Sequence, residues 1–258
     1  MMPRFPGPLV VISAVLVLMF LALPILIIFP LALTSSDYLS FPPPGWSLKW
    51  IISILTDSAW LSSIWFSLKI AVASTLLSVV ISLGAALALV RYQFRGKQAV
   101  YALILLPMIV PNVISAMAMF FFFGDIKLDG LLSIVVGHAV VSIPVAVIIL
   151  SATLQGFDSR LENAALSLGA SRWTAFRRIT LPIIAPGLMS ACIFAFLSSF
   201  DELLIALFLA GSSGQTLPVR IWNAVLFQLD PKIAAVSAFL VLVSIIALLA
   251  ANFVGRRK

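Results

Sequence analysis

The sequence predicts an all-α integral membrane protein, and three observations carry that reading. Of 258 residues, 62% are hydrophobic and only 10% charged, with mean hydropathy +1.20. A soluble domain usually has about 25% charged residues, so this chain lacks the polar surface that a water-facing globule needs. Long charge-free runs recur without period-2 alternation, which selects spanning helices over barrel strands. Basic residues gather between alternate runs, as membrane topology requires. The same composition excludes a disordered, collagen-like or disulfide-built chain.

A span needs about 20 apolar residues. Six are expected in a single domain, 1–258, at about 9–33, 62–90, 98–123, 131–154, 183–210 and 233–254. The first run is too long for a signal-peptide core and no A-x-A site follows it, so it reads as an uncleaved anchor. The loop after it holds Pro42, Pro43 and Pro44, which stop a helix. A short surface helix is then expected at 47–55, with Trp46, Trp50, Trp60 and Trp65 at the interface. In the second span Ser74, Ser78, Ser82, Gly84 and Ala88 are small enough for close helix packing. In the third, Pro107 and Pro111 free backbone carbonyls and kink the helix, with Asn112 polar at the kink. The fourth carries the one histidine, His138, read as a packed or hydrogen-bonded residue. The fifth is extended through Asp201 and Glu202, because no turn residue separates Phe200 from Leu203.

Charge sets the orientation. With the N-terminus inside, Arg4, Arg91, Arg95, Lys97, Arg160, Arg172, Arg177, Arg178, Arg256, Arg257 and Lys258 face the cytoplasm, 11 of 16 basic residues. Both termini are therefore expected to be cytoplasmic. Topology accounts for the net charge of +7, which leaves no support for nucleic-acid binding.

The inner connection 158–182 is long for a helix bundle. Leu161, Ala164, Ala165 and Leu168 recur at helical spacing and Gly169 stops that helix. Ser171 can cap a second helix with Trp173 and Phe176, and Pro182 suits the first turn of the next span. Two short helices meet at a bend whose small residues, Ala164, Ala165, Gly169 and Ala170, permit close approach by another protein.

These residues resemble the EAA loop of binding-protein-dependent ABC importer permeases. That pattern runs Glu-Ala-Ala, two variable residues, Leu-Gly-Ala, then an apolar-x-Leu-Pro. Ala164, Ala165, Leu168, Gly169, Ala170, Ile179, Leu181 and Pro182 fit it, while Asn163 stands at the Glu position with Glu162 just before. Further stretches, 91–97, 155–158, 199–202 and 215–222, are similar to the spermidine/putrescine branch, where this chain matches the second permease subunit. The resemblance implies a type I ABC importer (MetI-like) permease fold in a bacterial inner membrane. It also implies a second homologous permease, as a heterodimer, two copies of an ABC ATPase, and a periplasmic substrate-binding protein. Residues Glu162, Asn163, Ala164, Ala165, Leu168, Gly169, Ala170, Trp173 and Phe176 would then couple to the ATPase.

No enzyme is expected. Gly96-Lys97-Gln98 lacks the remainder of a P-loop, no G-x-S-x-G occurs, and one His with one Cys, Cys192, cannot build a zinc site. ATP and Mg²⁺ would be cofactors of the partner ATPase, with none in this chain. A self-sufficient secondary transporter is disfavoured because no internal repeat with paired broken helices is visible.

Asp201 and Glu202 are acidic residues inside a long apolar run and need a partner or a wet cavity. On a continuous helix they would share a stripe with Ser198. Ser198, Asp201, Glu202 and Asn112 are the candidate pathway residues. A polyamine is the expected solute. The alternative is another amino-containing or amino-acid-like solute, since Asn112 is neutral.

Overall fold

The computed structural model describes residues 7–211, 214–227 and 230–255. Arg4, Arg256, Arg257 and Lys258, counted among the inward charges, lie outside them. The chain clusters into two compact units. One comprises Met1–Leu61 and Ile221–Ile245, the other Ser62–Arg220 and Ile246–Lys258.

The first unit opens with α1 (Pro8–Ala32), 25 residues with none of its most apolar stretch buried. It is apolar on all sides, which suits lipid all round. The loop after it is held by its own backbone. Thr34 and Trp46 form an isolated antiparallel bridge, and the Ser47 N–H donates to the Leu33 carbonyl at 2.8 Å. The expected surface helix is α2 (Lys49–Thr56). Its first turn is tied back by the Trp50 indole N–H to the Ser36 carbonyl, 3.0 Å, and by Lys49 to Asp37, 2.7 Å. Trp46 is exposed as an interfacial residue should be, whereas Trp60 is buried.

The second unit is built on α3 (Ser58–Arg91), α4 (Lys97–Ile109), α5 (Asn112–Asp125) and α6 (Gly130–Gln155). It continues through α7 (Ser159–Ser167), α8 (Arg172–Ala175), α9 (Leu181–Phe200) and α10 (Leu204–Leu209). α11 (Leu217–Phe227) and α12 (Lys232–Gly255) carry residues of both units. By length and apolarity α1, α3, α6 and the helical run Arg172–Phe200 can each cross a membrane, and α4 with α5 passes that test only as a bent pair.

Two expected spans are therefore interrupted. The third breaks at Val110 and Pro111 and turns through 104°. Pro111 removes a donor and holds the residue before it extended, with Val110 at ψ 133°. The fifth, expected unbroken over 183–210, ends at Phe200 and restarts at Leu204. The stretch between the expected fifth and sixth spans contains α11.

Small residues set the packing. α6 and α9 pack extensively against each other, and Gly187 of α9 lies against the Thr153 side chain so closely that a β-carbon would overlap it. A β-carbon at Gly137 of α6 would come 2.7 Å from Ile205 and 2.9 Å from Leu209 of α10. Ser63, Ser67, Ser74, Ser78 and Ser82 of α3 are buried. Ser63 and Ser67 receive Arg220 Nε and the Leu217 N–H at 2.6 and 2.7 Å, and Ser82 donates to the Ile143 carbonyl at 3.3 Å. Gly84 and Ala88, also small enough for close helix packing, lie on an exposed face of α3.

Candidate functional site

The segment between α6 and α9 is closed by side chains at each turn. Asp158 caps α7 by accepting the Arg160 N–H at 2.9 Å. At the other end Gly169 takes φ +88°, a left-handed conformation suited to glycine, so that the Ala170 N–H reaches the Ala165 carbonyl at 3.0 Å. Ser171 then caps α8, accepting the Thr174 N–H at 3.2 Å. From Arg172 the backbone stays helical into α9 through a π-helical turn, Phe176–Thr180. Pro182, near the start of α9, offers no N–H to that turn. The second arm of the bend, from Arg172, and the membrane helix are thus one continuous helical run.

The bend presents an apolar surface. Leu168 is 89% exposed and Trp173 67%, with Phe176 stacked on Trp173 at 5.8 Å. Asn163, Ala164 and Gly169 are exposed beside them, while Ala165 and Ala170 are partly covered.

Glu162 belongs elsewhere. Its carboxylate grips the Arg91 guanidinium in a fork, Nη1 to Oε1 at 3.0 Å and Nη2 to Oε2 at 2.6 Å. Oε2 also accepts the Thr180 hydroxyl at 2.8 Å. The Glu162 side chain is only 14% exposed, so among the residues expected to couple it is the one that ties the segment to α3. Arg91 and Thr180 are the residues that sequence reasoning missed. The available signal was a lone Arg at the end of a long apolar helix.

The opposite end of α9 is built differently. Asp201 ends the helix and Glu202 Oε1 accepts the N–H groups of Leu204 and Ile205 at 2.9 and 3.2 Å, capping α10. These bonds accompany the break, and the break removes Glu202 from the stripe expected with Ser198 and Asp201. Asp201 is exposed, and its carboxylate has no hydrogen bond or ion pair among the described residues. Just before the break, Ser199 accepts from the Ser74 hydroxyl at 2.8 Å and meets His138 Nδ1 at 2.9 Å. Three helices are pinned there. Asn112 opens α5 exposed, with no partner for its amide among the described residues, and Ser198 is partly covered on α9.

The fold thus joins an exposed bend to a helix long and apolar enough to cross a membrane. Residues 78–258 match the family described as binding-protein-dependent transport system inner membrane component, and the chain belongs to that family. It is 29% identical over 240 residues to the spermidine/putrescine transport system permease protein PotC of Escherichia coli (strain K12), covering 93% of this chain and 90% of that one. It is 31% identical to the putrescine transport system permease protein PotI of the same organism, covering 76% and 73%. The molybdenum transport system permease protein ModB of Mycobacterium bovis is 32% identical, covering 79% and 81%. In fold it is similar to a chain of the bacterial ABC transporter involved in import of the acidic polysaccharide alginate, with TM-score 0.69 at 18% identity, over 96% and 94%. The MetNI methionine ABC transporter gives TM-score 0.63 at 19% identity, over 76% and 94%.

Proposed function

We propose that this chain is the transmembrane subunit of an ATP-driven importer for polyamines or a closely related organic amine. Likeness to PotC along 93% of the chain carries the substrate reading. For α12 we infer a sixth crossing, with both chain ends in the cytoplasm. The partners are a second, homologous permease, two ABC ATPases that bind ATP and Mg²⁺, and a periplasmic binding protein. The chain itself performs no catalysis.

In this mechanism the ATPase groove receives the surface of Asn163, Ala164, Leu168, Gly169, Trp173 and Phe176. Closure on ATP moves the bend, and with it the covalently continuous run Arg172–Phe200. Asp201 faces the solute, where an ammonium group would compensate a carboxylate at bilayer depth. Uptake by the assembled importer tests this. Asp201→Asn should lose uptake while the ATPase remains stimulated by loaded binding protein. Unchanged uptake would remove Asp201 from the pathway.

A second reading has its own observation. Glu202 is committed to the α10 cap and Asn112 is neutral, so Asp201 stands as a single carboxylate. A zwitterionic, amino-acid-like solute needs no more. Calorimetry of the cognate binding protein with spermidine, putrescine and amino acids separates the two.

A further inference from the structure

A cavity of about 780 Å³ lies between the α3–α4 turn and the last turn of α6. Gly96, Lys97 and Gln98, the first residues of α4, line it together with Gln93, Phe94, Tyr101, Ser151 and Gln155. Gly96 caps α4 in a left-handed conformation and supplies no side chain, so the amides of the first turn lack a side-chain acceptor. The Lys97 ammonium is fixed at the turn by the Tyr92 carbonyl, 3.3 Å, and keeps two further donors. Ser151 supplies the independent observation. It is only 7% exposed, lines the cavity, and its hydroxyl has no hydrogen-bond partner among the described residues. An orphaned buried hydroxyl costs stability, which a ligand atom would recover.

The donors have one character. A helix N-terminus favours negative charge, Lys97 adds a cation, and Gln98, Gln155, Tyr101 and Ser151 can all donate. No carboxylate lines the cavity among the described residues. A cation is therefore disfavoured and an anion with several acceptor oxygens is matched. Leu89, Val90 and Phe94 form an apolar wall beside the donors, suited to the carbon portion of an ester.

We propose that this cavity binds a phosphate group, carried by a membrane phospholipid or by a soluble phosphate compound. The full chain, extracted from membranes containing phosphatidylglycerol, is examined by native mass spectrometry beside Lys97→Gln and Ser151→Ala. Gln and Ala are good helix formers, so both variants keep α4 and α6. The wild type should retain phosphatidylglycerol, with affinity lower by roughly tenfold in Lys97→Gln and roughly fivefold in Ser151→Ala. In a second arm the delipidated chain is titrated with inorganic phosphate by thermal shift. Retained lipid assigns a phospholipid headgroup, and a phosphate response without retained lipid assigns a soluble compound. Neither response overturns the proposal. So does retention unchanged in both variants, or diacylglycerol competing as well as phosphatidylglycerol.

Discussion

Glu162 and Asp201 are two carboxylates at opposite ends of the helical run that contains α9, and the chain treats them in opposite ways. Glu162 is almost enclosed, forked onto Arg91 and joined by Thr180. Asp201 is exposed and unpaired among the described residues, although its neighbour Glu202 is fully employed as a cap. The comparison separates two uses of one chemical group. A carboxylate with both oxygens engaged holds a structure in place, and one left open at a helix break is available to something outside the chain.

The largest effect is expected at the bend between them. Gly169 has open space around its α-carbon but sits at φ +88°. Gly169→Glu adds left-handed strain and a charge on the docking face, and uptake should fall by roughly tenfold or more with the subunit still in the membrane. Gly169→Asn, which tolerates that conformation, should retain most uptake. Equal loss in both would show that bulk, rather than backbone strain, governs the bend.

Next comes the open carboxylate. Asp201→Asn should reduce uptake roughly tenfold, the worth of one charge-assisted contact. Glu202→Ala should instead cost about 1 kcal/mol of stability through the lost cap, seen as a lower unfolding temperature of the assembled importer. If Glu202→Ala removed uptake and left stability unchanged, the contrast drawn here would be reversed.

The closed carboxylate is tested by a cycle. Arg91→Ala and Glu162→Ala should each weaken coupling between ATP hydrolysis and uptake by about 2 kcal/mol, and the double variant should lose little more than either single one. Additive losses would mean that the fork does not act as a unit. The smallest effect is at the helix crossing. Gly187→Ala should destabilise by about 1–3 kcal/mol through overlap with Thr153, and Thr153→Ala should restore part of it.

Much of this was legible in the sequence because it is local. The charge-free runs marked the helices, and Gly169, Ser171 and Pro182 marked the turns of the coupling segment by their own backbone chemistry. The break at Asp201 was not legible. It depends on Glu202 turning back to cap α10, and the flanking residues are good helix formers. Pro111 announced a kink, but neither its size, 104°, nor the packing of α5 against α10 is readable from local residues. The pairing of Glu162 with Arg91, 71 residues away, is tertiary, so the Arg at the helix end did not reveal its partner. Gly84 and Ala88 have the right size for helix packing, but size does not say which face of α3 meets a neighbour.

The Arg91–Glu162 fork has a mechanical consequence. A force applied at Gly169 divides between two branches. One is covalent, through the π-helical turn into α9, and cannot be disengaged. The other is ionic, through Glu162 into the end of α3, and yields at about 2 kcal/mol. A gentle stroke drags both shafts together, while a hard one slips the second like a clutch, so the load at which α3 lets go is set by a single pair of side chains.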